Sequence, residues 1–307
     1  MPSSVTAVTL PVQWTMPAWG LSFNTGVKDA NGCAYWVTDE KGWSDGPPPR
    51  PISTGKPYSQ GAFNGPDFYG ARVITLYGHV AAPTTLARRA AEHTISAAFS
   101  DPLNLSELHC TEETGELLAN VRLDQNVTIT RNPGGYDFDW SIQLAAPDPR
   151  KYSATVQQST TNLPMAANGL DWITGGGLDW VTGGGLTWGT VTSNGQVSMT
   201  NAGTADTWPT FVIAANGNVL SSPGITILFN GNVLFYNNTL QANDILTITT
   251  NPANRSVLLN GLTDMRRFLT TAQWTSVAAG TTVIAAFSSA VYTSTATLTA
   301  KWSNAYW

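Results

Sequence analysis

Three histidines, two cysteines and a few closely spaced carboxylates are the residues of this chain with any capacity for catalysis or metal binding. His79 falls on a predicted strand, His93 in a predicted helix, and His109 beside Cys110 near a strand end. No two of them have a metal-ligand spacing, and adjacent residues of a strand point to opposite faces. Cys33 and Cys110 are too few for a disulfide framework, so they read as free thiols of a reducing compartment. The sequence lacks a Gly-x-Ser-x-Gly elbow, and its glycine triplets Gly175–Gly177 and Gly183–Gly185 lack the lysine of a phosphate loop. Glycoside hydrolysis needs two carboxyl groups at a defined separation. Asp137 and Asp139 alternate with Phe138 and Trp140, which sets both on one strand face roughly 6.5–7 Å apart. A solvated face opposite a core face explains the pair without catalysis and is the preferred reading. Asp171 and Asp179, beside Trp172 and Trp180, form the other candidate pair; Trp and Asp on a β scaffold also bind sugar without cleaving it. The expectation is therefore no enzyme, no cofactor and no metal.

Composition points away from chemistry and toward assembly. Hydrophobic residues make up 42% of the 307 and charged residues only 11%, against about 25% charged in an average soluble domain. Thr, Ser and Asn carry the polarity, which suits many short strands. Residues 1–150 hold 10 Lys/Arg and 15 Asp/Glu, whereas residues 151–307 hold 5 of each. A neutral half rich in aromatic rings suits coverage by neighbours or ligand. The N-terminus has no basic region with an apolar core, nothing reaches the roughly 18 apolar residues of a membrane span, and no basic patch suggests nucleic acid as the main partner. The 12 Trp and 9 Tyr are residue types favoured at protein interfaces. Trp14, Trp19, Trp43, Tyr58 and Tyr69 lie in irregular segments and are candidate contacts, alongside Trp172, Trp180 and Trp188.

Those residues need a scaffold, and the pattern is mainly β. Leu21–Phe23 and Cys33–Val37 flank an Asn31-Gly32 turn. A Pro/Gly-rich loop, 43–68, contains a Pro-rich stretch that cannot be a central strand. Arg72–Val80 alternates, with Val73, Thr75, Tyr77 and His79 on one side and Ile74, Leu76, Gly78 and Val80 on the other. One helix is expected over 84–98, capped by Thr84 or Thr85, with Leu86, Ala90, His93 and Ala97 toward the sheet. Strands follow at Ser106–Cys110, Glu116–Leu123, Val127–Thr130 and Asp137–Ala145. Pro147–Arg150 marks a domain edge, giving domains 1–150 and 151–307. The second opens with a strand near Lys151–Gln157 and a Leu-Asp-Trp-Ile/Val-Thr-Gly-Gly octapeptide repeat at 169–189, readable as small strand-turn units or as slippage of a tolerant loop. Beyond it, Asn194-Gly195, Asn216-Gly217, Asn230-Gly231 and Asn260-Gly261 punctuate short strands, the pattern of a sandwich or jelly roll.

The order of short motifs resembles the distal tail protein family of long-tailed phages, in particular the actinobacteriophage minor tail proteins. The resemblance runs through Asp29–Gly32, Gly42-Trp43, Tyr69–Ile74, Tyr77–Val80, Phe138–Leu144 and Ala146–Arg150. It continues through Pro209, Phe211–Ile213, Asn218, Asp244–Ile248, Val257–Gly261, Trp274, Ala279–Thr282 and Ala300–Trp302. It implies a β-sandwich-like, ring-forming N-terminal domain with one covering helix, followed by a galectin-like β-sandwich. It further implies a homohexameric ring between the tail tube protein and the tail-tip hub protein, with receptor-binding proteins at its periphery. DNA would be transient cargo in the channel, and the protein would sit at the virion tail tip after assembly in the host cytoplasm. The alternatives are a carbohydrate-binding tail protein that contacts the host cell wall and a cell-wall hydrolase. The repeat at 169–189 and the segment 43–68 depart from the family pattern.

Overall fold

The structure, a computed structural model, describes residues 12–101, 103–164, 193–221, 224–290 and 295–307. The repeat at 169–189, with Asp171, Trp172, Asp179, Trp180 and Trp188, lies outside the described residues. The chain divides into two units, Met1–Thr155 with Tyr306–Trp307, and Val156–Ala305. No helix among the described residues is long and apolar enough to cross a membrane.

Unit 1 contains β1 (Gln13–Met16), β2 (Leu21–Phe23), β3 (Ala34–Lys41), β4 (Pro49–Arg50), β5 (Ser53–Gly55), β6 (Ala62–Asn64), β7 (Phe68–Tyr69) and β8 (Arg72–Ala81). After α1 (Thr85–Ala97) come β9 (Ser106–Glu112), β10 (Gly115–Leu123), β11 (Thr128–Arg131), β12 (Phe138–Ala146) and β13 (Lys151–Ser153). The main sheet runs β2-β1-β9-β10-β12-β8-β3, with β11 on β12 and β13 on β10. Lys151–Ser153, assigned from sequence to the second domain, is thus part of this sheet. Alternation sets which side chains face in: Ile74, Leu76 and Val80 of β8, and Phe138, Trp140, Ile142 and Leu144 of β12, are buried. Gly78 lies opposite Trp140 in the ladder. A Cβ there would stand 2.2 Å from the indole, so the missing side chain is what makes room for the ring.

The sheet curls because its two end strands meet through one side chain. Asn24, just after β2, donates its backbone N–H to Tyr35 O at 3.1 Å. Its Nδ2 donates to Val37 O at 3.2 Å, and its Oδ1 accepts from Val37 N at 3.1 Å. The side-chain amide thereby replaces a peptide group and continues the ladder onto β3. Asn24 has φ +61°, a left-handed conformation that asparagine tolerates.

Helix α1 starts where Thr84 Oγ1 accepts from Ala87 N at 3.2 Å. Its packed face is not the predicted one. Ala87, Ala91 and Ile95 are buried together with Glu92, whereas Leu86 is 82% exposed and His93 and Ala97 are also exposed. The polar contacts of Glu92 help hold this orientation. Its carboxylate takes a two-pronged bond from Arg131 of β11 (2.7 and 2.8 Å) and a third from Arg89 at 3.1 Å. Those bonds, Arg131's first, hold its pKa down to about 2. A depressed carboxylate contributes stability that is present above its unfolded pKa near 4.5 and lost as pH falls toward 2. Glu92→Gln is therefore expected to lower stability by about 2 kcal/mol at pH 7. Urea melts of the two proteins should converge as the pH approaches 2–3.

Unit 2 is built from β14 (Gln157–Asn162), β15 (Gln196–Thr200), β16 (Thr210–Ala214), β17 (Ile225–Phe229), β18 (Asn232–Tyr236) and β19 (Ile245–Thr249). It continues with β20 (Ser256–Leu259), β21 (Thr263–Asp264), β22 (Leu269–Ala272), β23 (Thr282–Ser289) and β24 (Thr297–Trp302). One antiparallel sheet has the order β14-β24-β16-β19-β20-β21 and the other β15-β23-β17-β18-β22. Their inner faces share one core, in which Phe211 of the first sheet meets Phe229 of the second edge-on at 5.4 Å. The β17–β18 hairpin turns on Asn230 (φ +51°) and Gly231 (φ +74°), the mirror-image turn that Asn-Gly favours.

Candidate functional site

The residues with catalytic potential do not converge. His79 Nδ1 lies 2.8 Å from Asp139 Oδ1, with Asp137 Oδ2 at 4.0 Å from Nε2, on the outer face of β8 and β12. The paired carboxylates thus flank an imidazole on an open sheet surface. His109 sits between Glu107 at 3.0 Å and Glu116 at 2.7 Å. Burial pulls its pKa down, but the bonds and charges of the two glutamates outweigh burial and leave the imidazole more basic than usual. Both thiols are buried, and desolvation pushes Cys33 and Cys110 up, the opposite of an activated nucleophile. Among the described residues, no group of three or more His, Cys, Asp or Glu is placed to hold a metal ion.

The aromatic candidates separate into core and surface. Trp43 is 1% exposed, packs edge-on against Trp14 at 5.2 Å and donates Nε1–H to Glu112 Oε1 at 2.8 Å. It and Trp14 are core residues of unit 1, not surface contacts. Trp19 packs on Phe99 at 6.3 Å. Tyr58 is 100% exposed, and Tyr69 is half exposed with its ring 4.6 Å from that of Trp307.

Tyr58 and Tyr69 belong to an arm, Pro48–Tyr69, in which every residue but Gly65 is exposed. Two short ladders, β4 with β7 and β5 with β6, fold it back on itself. Gly70 N donates to Pro48 O, Gly65 N to Ile52 O and Lys56 N to Gly61 O, so its backbone pairing is internal. The side chains it presents include Ile52, Tyr58, Phe63, Phe68 and Tyr69. Outside a packed interface such a run exposes apolar rings to water at a cost of about 25 cal/mol per Å².

A buried cation fixes the root of this arm. Arg72, at the start of β8, is 1% exposed. Its Nη1 donates to the carbonyls of Gly42 (2.6 Å), Trp43 (3.1 Å) and Asp45 (2.5 Å), and its Nε to Pro149 O (2.8 Å). Lys151 Nζ donates to Trp43 O at 3.0 Å and lies 5.4 Å from the Trp43 ring centroid. Desolvation lowers the pKa of both cations. Gly42 completes the root: its φ is +85° and a Cβ would stand 1.9 Å from Val73 O. Sequence reasoning overlooked Arg72, although its parity was a signal. It shares the inward parity of Ile74 and Leu76, where an unpaired charge is costly.

Residues 202–306 match the family model described as the siphovirus-type tail component, C-terminal domain. The fold of the chain is similar to the crystal structure of SPP1 Dit. The TM-score is 0.63 at 11% identity, covering 96% of this chain and 99% of that one. That protein is described as a paradigm of the hub adsorption apparatus in Gram-positive-infecting phages. A chain of the phage P2 baseplate in its activated conformation with calcium aligns over 92% of this chain and 99% of its own. Its identity is 12% and its TM-score 0.48. No curated protein matches the chain.

Proposed function

We propose that this protein is the distal tail protein of a long-tailed bacteriophage, a structural subunit with no catalytic role. Unit 1 forms a ring of six copies that joins the tail tube protein to the tail-tip hub protein and leaves a channel through which DNA passes as cargo. Unit 2 is a galectin-like sandwich that anchors peripheral receptor-binding proteins. The protein resides at the virion tail tip after assembly in the host cytoplasm. The observation that carries this reading is the Pro48–Tyr69 arm. It is internally paired, studded with apolar rings and rooted by Arg72, as suits an element that is covered by the next subunit. Closed rings leave no heterologous surface unpaired, so each arm and each arm-receiving face is satisfied in turn. The tail-component match of residues 202–306 and the two facing antiparallel sheets of unit 2 support the same reading. The wall-hydrolase alternative loses appeal because Asp139 is bonded to His79 on an open sheet face.

Gold labelling of an epitope-tagged chain in phage particles tests the location. Label confined to the tail tip is the expected result; label spread along the tube, or absent from tails, contradicts it.

A further inference from the structure

Unit 2 is almost uncharged: residues 156–305 contain only Arg255, Arg266, Arg267 and Lys301 as cations. Three of these four are gathered on aromatic rings. The Arg255 guanidinium carbon lies 5.9 Å from the Trp208 ring centroid and 5.2 Å from that of Trp274. Arg266 lies 4.9 Å from Trp274, and Arg267 lies 4.6 Å from Phe268. The result is an alternation of ring and cation, Trp208, Arg255, Trp274, Arg266. Phe268 is backed in turn by the core ring of Tyr236 at 6.3 Å. All three arginines are exposed, while the rings under them are half buried.

This arrangement has a cost that its own unit does not offset. Arg255 and Arg266 share one ring, so their charges are separated by no more than about 10 Å, a Debye length at 0.1 M salt. Among the described residues no ion pair involves Arg255, Arg266 or Arg267. The nearest carboxylate in sequence, Asp264, accepts instead from the backbone N–H of Arg266 at 2.8 Å. The rings hold the three guanidinium groups by cation–π contact, and the N–H donors that remain can bind a planar or tetrahedral oxyanion in two-pronged fashion. Arg255 spends only Nε, on Thr250 O at 3.3 Å.

We propose that this cluster is a binding site for an anionic polyol or sugar chain, one whose phosphate or carboxylate groups meet the guanidinium edges while its hydroxyls meet neighbouring neutral side chains. Asn254 and Thr270 are exposed neighbours in sequence with both donor and acceptor capacity. Four cations in the whole unit do not make the long basic track that nucleic acid needs. An acidic protein partner would call for a wider apolar core around the charges. The inference stands on unit 2 alone and is independent of ring formation.

Titration of the full chain, followed by tryptophan fluorescence and calorimetry, tests it. The probes are glycerol-phosphate oligomers, polygalacturonate, neutral dextran, polyglutamate and single-stranded DNA. One or both anionic polyols are expected to bind, with affinity falling as salt rises, and dextran is expected not to. The phosphate and carboxylate arms tell which oxyanion the site prefers. Arg255→Gln/Arg266→Gln should weaken binding by about tenfold or more. Lys301→Gln, which removes the remaining cation of the unit, should leave it unchanged. A thermal melt of each variant confirms that the fold is retained. Absence of binding to both anionic polyols, an unaltered affinity in the double variant, or tighter binding of polyglutamate or DNA would overturn the proposal.

Discussion

Arg72→Met is expected to unfasten the arm and to abolish ring assembly. Methionine fills similar space but donates nothing, so the carbonyls of Gly42, Trp43, Asp45 and Pro149 lose their shared donor, and of the four only Trp43 O keeps a second, Lys151 Nζ. Losing the hydrogen bonds of a buried charged donor costs about 1.5–3 kcal/mol, a sizeable part of the roughly 5–15 kcal/mol that holds a typical domain together. The urea midpoint of the full chain should fall accordingly. Arg72→Lys keeps the charge but not the planar fork, and should recover only part of the loss. A variant with an unchanged midpoint and intact rings would show that the carbonyl cage is incidental.

Excising the outer arm should separate the two effects: keep the fold and lose the assembly. Gly65 N donates to Ile52 O at 2.6 Å, so Ile52 and Gly65 already face each other across the hairpin. Replacing residues 53–64 with Asn-Gly closes that gap with a two-residue turn. The deleted side chains are exposed, and changes at such positions usually alter stability by no more than about 0.5 kcal/mol. The melting curve should therefore barely move while particle mass drops to that of a single chain. Persistent rings would assign assembly to another surface; a collapsed melt would make the arm part of the fold.

The strands were legible because alternation is a local property. Inward and outward residues of β8 and β12 could be named from parity alone, and Asn230-Gly231 and Asn260-Gly261 turn the β17–β18 and β20–β21 hairpins with positive φ at both residues. What escaped depended on distant partners. The helix was found by its cap, but its face was set by Ile95 and by Glu92 reaching Arg131, which is 39 residues away. Trp43 sits in an irregular segment and so read as a surface ring, yet Glu112 and Trp14, on strands remote in sequence, enclose it. Arg72 broke the inward pattern of β8, and that break marked the root of the arm. The arginines of unit 2 are unremarkable one by one; only the turn after β21 and the packing of Trp208 and Trp274 bring them together.

Native mass spectrometry of the purified full chain addresses the ring claim with least intervening inference, because subunit number is read without labels or host. A closed species of six copies, lost in the arm-excised variant at unchanged fold, is the result the assembly reading predicts. A single-copy species at every concentration, with the arm intact, would contradict it.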